Sequence, residues 1–343
     1  MHHYYNILNL TVSLQSDNLR FLQEFNKDYK SFIQTSNTDY SCDMQIHLND
    51  HQLQINAHEI DISNHPTPMH FAFQLVVSEI MSQLNDYYLI HAGVVQKDVH
   101  TIVLSGPPGI GKSTLVKTLV SNGFNFFSDD CAPLHKQSGK IWPFPRSMWI
   151  VDQQKNVSSF RSKKNIPVSS SINKNNPVKP TTIICLIDDT TANLPIQLNV
   201  SLKSQDSLFI KELQQWPEIE CTKRHPLHPE YRIQYTASES VTKVIQAALA
   251  KYKKQLWTMY RVAPIRKCFE RQAKIKAVSS HQAAAEIISE MKMFESSLKP
   301  SLTQAPMATL ISISKLIKDT NCFFMSAGTL SSEIKLINRV LNA

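Results

Sequence analysis

One stretch of this chain has the residue types and spacing to hold a phosphorylated ligand: Gly106-Pro107-Pro108-Gly109-Ile110-Gly111-Lys112-Ser113. Its glycines let backbone N–H groups close around phosphate oxygens with no Cβ in the way. Lys112 offers a cation to the β- and γ-phosphates, and the Ser113 hydroxyl is a hard oxygen ligand for magnesium. Thr114 follows in the first turn of the helix this pattern opens, and the positive end of that helix adds to the anion site. Seven glycines occur in the whole chain and three fall in these eight residues, which argues against a chance match in a surface turn. Gly106 through Thr114 are therefore the expected nucleotide contacts, with ATP and Mg2+ as the expected cofactors.

Phosphoryl transfer needs two further things: a carboxylate near the metal and a group that orients or deprotonates the acceptor. Two acidic pairs compete for these jobs. Asp129-Asp130 closes the strand after the loop helix, whereas Asp188-Asp189 closes Ile183-Ile184-Cys185-Leu186-Ile187, which looks like an ordinary Walker B strand. Either pair also suits a solvated turn, and spacing alone leaves the choice open.

The elements that must position these residues follow from periodicity. Leu8, Leu10, Val12 and Leu14 alternate as in a half-buried strand. Ser16 then offers a helix cap before Leu19, Leu22, Phe25, Tyr29 and Phe32 at helical spacing. Met44, Ile46 and Leu48, then Leu53 and Ile55 beyond Asn49-Asp50, predict a hairpin. Residues 1–66 thus read as a small α+β module, closed off by His65-Pro66-Thr67-Pro68 before an apolar helix from about Met69 to Leu84. A nucleotide-binding core is expected over 67–237. Within it, Tyr88–Val95 and Thr101–Ser105 are strands, Lys112–Ser121 a helix ended by Gly123, and Phe124–Phe127 a strand. Residues 152–180 are a polar stretch expected as exposed loop. Over 238–343 helices are expected to dominate.

The stretch from about Leu89 to Arg146 resembles HPr kinase/phosphorylase and, more closely, the HPr-kinase-related proteins of peptide-modification gene clusters. The resemblance rests on His91-Ala92-Gly93-Val94-Val95, the glycine loop, Phe127-Ser128-Asp129-Asp130 and Pro143-Phe144-Pro145-Arg146. His91 precedes Lys112 by 21 positions and Asp130 follows it by 18. It implies an α/β fold of mixed sheet, an HPr-kinase-like P-loop core carrying an N-terminal α+β module and a helical C-terminal region. It further implies Asp130 as general base, Asp129 holding magnesium with Ser113, His91 orienting Asp130 or the γ-phosphoryl group, and Arg146 as a transition-state or acceptor-side cation. Asp188 and Asp189 then return to the solvated-turn reading.

The chain departs from that family in one respect. A second signature resembling Glu-x-Arg-Gly-x-Gly is missing, since no glycine lies between Gly139 and Gly328. Recognition of HPr itself, and the reverse phosphorylase reaction, lose their basis. The expected activity is transfer of a γ-phosphoryl group to a hydroxyl of a peptide, protein or small molecule. The alternatives are a non-enzymatic nucleotide sensor or scaffold, and an ATPase using Asp188 and Asp189.

Composition adds bounds rather than chemistry. A formal charge of +8 suits a phosphate- or carboxylate-bearing partner, but it is spread along the chain and no RNA-binding motif or zinc finger accompanies it. Arg161, Lys163 and Lys164 are weaker candidate cations in the polar stretch. Six scattered cysteines without a CxxC pair read as reduced thiols. Cys221, His225 and His228 make a poor zinc set beside Pro226 and Pro229. Val241, Val244, Ile245, Ala248 and Leu249 form an apolar helix face with Lys251, Lys253 and Lys254 beyond, read as a packed helix with a basic exposed side. No signal-peptide pattern or apolar run of membrane-spanning length is present, so the expectation is a cytoplasmic protein without membrane contact. Homo-oligomerisation stays open.

Overall fold

The computed structural model describes residues 1–34, 41–65, 67–151, 163–166, 176–187, 196–204, 207–224, 229–236, 238–262, 272–291 and 306–342. The first unit is a five-stranded sheet in sequential order, β1 (His2–Ile7), β2 (Leu10–Ser16), β3 (Met44–Leu48), β4 (Gln52–Ile55) and β5 (His58–Asp61). Only β2 and β3 run parallel, because α1 (Leu19–Tyr29) lies between them and carries the chain back. Tyr5, Ile7, Val12, Leu14, Ile46 and Leu53 bury one face of this sheet against Phe21, Leu22 and Phe25 of α1.

Three local expectations change here. Asn18, not Ser16, caps α1: its Oδ1 accepts from Phe21 N at 3.0 Å, while Ser16 Oγ accepts from Asn18 N. Leu19 consequently falls outside the buried stripe and is exposed. The strand before Leu8 escapes an apolar pattern because His2, His3 and Tyr4 fill it, and Leu8 itself is the turn, at φ +61°. The hairpin at Asn49 stands, with Asn49 Oδ1 accepting from His51 N and Gln52 N.

Next comes α2 (Pro68–Gln83), opened by Pro68, whose missing N–H costs nothing in the first turn. Ala72, Leu75, Val76 and Ile80 join the core of the five-stranded sheet, which reaches on to Leu89, Cys131 and Phe144. That core therefore continues past residue 67.

The apolar run expected as one strand is two. β6 (Tyr87–Ile90) pairs with β10 (Ala132–His135), whereas β7 (Ala92–Lys97) enters a six-stranded sheet, and His91 is the hinge between them. A continuous buried run carries no period to reveal such a switch. The six-stranded sheet also contains β8 (His100–Ser105), β9 (Asn125–Ser128), β13 (Thr182–Ile187), β18 (Lys274–Ala277) and β19 (Asn321–Ser326), in the order β18-β19-β13-β8-β7-β9. β8, β13 and β19 are mutually parallel and the outer pairs antiparallel. α3 (Lys112–Ser121) covers one face through Leu115, Val116 and Leu119. Between β10 and β13, β11 (Met148–Val151) pairs with β12 (Lys163–Ile166), so part of the stretch expected as loop is strand.

A four-stranded sheet, β15 (Ile219–Lys223), β16 (Glu230–Tyr235), β14 (Ile196–Leu202) and β17 (Leu256–Val262), closes its own core with α4 (Leu208–Leu213) and α5 (Glu239–Lys251). Lys251 on α5 pairs with Glu212 of α4 at 2.6 Å, which ties one expected surface cation into this unit. The last helices are α6 (Ser280–Ser289), α7 (Pro306–Leu316) and α8 (Leu330–Leu341). The expected helical region after Ser238 thus also holds β17, β18 and β19, two of which build the six-stranded sheet. The architecture is a mixed α/β fold with mixed sheets and, among the described residues, eight α-helices. None of these helices is long and apolar enough to cross a membrane.

Candidate functional site

Strand direction gathers the site at one edge of the six-stranded sheet. β7 is antiparallel to both β8 and β9, with Ala92 opposite Ser105 and Val94 opposite Ser128. The start of β7 therefore meets the ends of β8 and β9, and His91, Gly106 and Asp129-Asp130 all emerge there. The end of parallel β13 shares the same edge. Loops beyond the carboxyl ends of parallel strands are where such sheets hold ligands.

The glycine loop needs its glycines. Gly106, Gly109 and Gly111 have φ of +145°, +88° and +108°, conformations that side chains with a Cβ resist. At Gly106 a Cβ would also stand 2.6 Å from the Leu186 carbonyl of β13, so the loop lies tight against that strand. Gly111 is the N-cap of α3 and brings no side chain to its first-turn N–H groups. Lys112 is buried and donates to the loop's own carbonyls, Gly106 O and, at 3.2 Å, Pro107 O.

Asp129 and Asp130 sit differently although adjacent. Asp129 is 4% exposed and accepts from Ser113 Oγ at 3.2 Å. Burial, then the neighbouring Asp130 charge, push its carboxyl up from 3.8 to about 6; the Ser113 hydrogen bond and the Lys112 charge oppose this. Gly93 makes the position available: a Cβ there would lie 2.4 Å from Val116 Cγ2 of α3 and 3.4 Å from Asp129 Oδ1. Asp130 turns the other way, with φ +66° and a side chain 58% exposed. Aspartate tolerates that left-handed conformation better than most residues, at some strain. Its Oδ1 lies 2.8 Å from His91 Nε2, and His91 is itself buried. On the other side of the ring, Nδ1 lies 3.9 Å from Glu290 Oε2 just beyond α6.

The structure brings together Lys112, Ser113, Asp129, Asp130 and His91. Arg146 makes its contacts with α1. That guanidinium donates to Asp28 of α1 at 3.0 Å and lies 4.9 Å over the Tyr29 ring, so its charge serves the contact with the N-terminal sheet. Phe144 N donates to Phe127 O, so the Pro143–Arg146 segment straps β9 to that unit. Asp188, Asp189, Arg161, His225, His228 and Cys268 lie outside the described residues, and Lys163 and Lys164 fall in β12.

The donor set suits a hard cation: a hydroxyl and a carboxylate in contact, beside uncapped helix N–H groups. Among the described residues no three His, Cys, Asp or Glu side chains gather as a metal cluster. The chain matches no protein-family model, and no curated protein matches it in sequence.

Glu290 was missed from sequence. Its signal was there: it stands seven residues after Ala283 and three after Ile287, on the stripe of α6 that faces the core. A carboxylate on a buried stripe needs a partner.

Proposed function

We propose that this protein is an ATP- and Mg2+-dependent kinase of HPr-kinase-like type, with a P-loop at Gly106–Ser113, which phosphorylates a hydroxyl of a peptide, protein or small molecule. The observation that carries this reading is the chain of contacts Ser113–Asp129–Asp130–His91 at the mouth of the glycine loop. Bound ATP with magnesium supplies the phosphoryl group and neutralises its charge. Lys112 exchanges its loop carbonyls for phosphate oxygens, and the first turn of α3 presents N–H groups to the same anion. Ser113 Oγ and the Asp129 carboxylate hold the cation. Asp130, the exposed member of the pair, takes the proton from the acceptor O–H as that oxygen bonds to the γ-phosphorus and the bond to the bridging oxygen of the departing ADP breaks, and His91 keeps that carboxylate turned outward.

This division of labour follows from environment. Asp129 is buried and hydrogen-bonded, which suits a ligand; Asp130 is accessible, which suits a base that must meet an acceptor. The test is transfer from labelled ATP to peptides and extracts, with Lys112→Ala and Asp130→Asn alongside. Lys112→Ala should lose both nucleotide affinity and transfer. Asp130→Asn should keep nucleotide affinity and lose ~10²–10⁴-fold in single-turnover transfer. Full transfer by Asp130→Asn would remove Asp130 as the base. Unchanged affinity in Lys112→Ala would remove the nucleotide assignment.

A further inference from the structure

We infer that Glu290 is a positioning residue for Asp130, acting through His91. What Asp130 does rests on the kinase reading above; the chain of contacts does not.

Asp130 is a half-exposed carboxylate on a turn residue in the left-handed region, and its 2.8 Å contact with His91 helps set where it points. His91 is 9% exposed at its side chain and cannot swing into solvent. An imidazole has two edges, and what one nitrogen meets fixes the orientation and proton placement at the other. Here the second edge faces Glu290, whose side chain is 11% exposed. The arrangement carboxylate–imidazole–carboxylate thus runs from the interior to the solvent-facing base. Burial, and then the charges of Glu286, Cys322 and Glu290, push the Cys185 thiol of β13 up, so both carboxylates of α6 lie near that strand.

Packing explains how a helix so distant in sequence delivers the group. Ala283 and Ala284 are fully buried against the six-stranded sheet, and Ala283 O receives the Cys185 thiol at 4.0 Å. Small side chains let α6 approach the sheet closely. A capping box between Ser279 and Gln282 fixes where α6 starts, so its end is fixed too. Glu290 is the C-cap residue, one helix length away.

The experiment uses the full chain with Glu290→Ala and Glu290→Gln, alone and in an Asp130→Asn background. Nucleotide affinity should stay within about twofold of wild type. Single-turnover transfer should fall ~10–100-fold for Ala, the usual cost of losing an outer-shell partner of an active group. Gln keeps the shape of the side chain at this 3.9 Å contact with the ring and should restore part of that loss. In the Asp130→Asn background, Glu290→Ala should cost nothing further, because residues acting as one unit do not add. The ring nitrogens of His91, followed by nitrogen NMR, should shift in Glu290→Ala whether or not an acceptor is known. If wild type transfers to no acceptor, the kinase reading falls and the His91 signals alone decide this inference. Unmoved His91 signals, or an equal loss in both backgrounds, would overturn it.

Discussion

Replacing Asp129 by Asn should make the protein more stable while removing its proposed metal ligand. Burial and the Asp130 charge raise the Asp129 carboxyl from 3.8 to about 6. A rise of roughly two, at 1.36 kcal/mol each, means that ionising Asp129 costs the folded state about 3 kcal/mol relative to the unfolded chain. The sign follows from linkage: an acid whose folded value lies above its unfolded value binds more protons when folded, so stability declines as pH rises between them. The penalty is therefore absent below pH 3.8, grows toward pH 6 and is constant above. Asparagine carries no charge to bury and its oxygen still accepts from Ser113. The expected gain at pH 7.5 is ~1–3 kcal/mol, a few degrees in Tm. Unfolding of wild type and variant in a chelating buffer, at steps from pH 4 to 7.5, measures it. The two curves should coincide near pH 4 and part by pH 6. An equally stable or weaker variant at pH 7.5, or a gain that ignores pH, would refute the reasoning. Stability withheld at a working site is a common trade.

Two further outcomes test the scaffold. Gly93→Ala drives a Cβ to 2.4 Å from Val116 Cγ2, so α3 must shift off β7; about 1–3 kcal/mol of stability should be lost, with weaker nucleotide binding, and a neutral variant in melting and titration would show the contact is loose. Arg146→Met strands the buried Asp28 carboxylate and should cost ~3–5 kcal/mol, partly recovered by adding Asp28→Asn, with nucleotide affinity unchanged. Wild-type stability combined with lost transfer would return Arg146 to the site.

What was legible in the sequence was what short-range chemistry dictates. The glycine loop demands its conformation residue by residue, α3 starts where the loop releases it, and β9 ends just before Asp129. The split at His91 was hidden because residues 87–90 and 92–95 are all buried and differ only in which strands they meet. The Arg146–Asp28 pair was hidden for a related reason: Asp28 occupies the buried face of α1 three residues from Phe25, and no local pattern couples positions so far apart. β18 and β19 were hidden among helices because a short strand beside long apolar helices carries too few residues to declare a period. Glu290 joins His91 only once α6 is docked.

The order of strands in the six-stranded sheet also sets the order in which it can be made. Synthesis delivers β7, β8 and β9 together, and they can pair at once as local hairpin-like neighbours. The other edge of β8, which the finished sheet buries, has no partner until β13 emerges, and β13 in turn waits for β19. While residues 106–181 are being made, the nascent chain therefore exposes an apolar strand edge of Ile102, Val103 and Leu104 right beside the glycine loop. Such an edge invites pairing with another chain, and a non-local parallel closure is slow. The ligand loop thus gains its support only once β13 is made and the sheet is complete only once β19 is, and a ribosome stalled before β13 would carry an aggregation-prone half sheet with a loop that lacks that support.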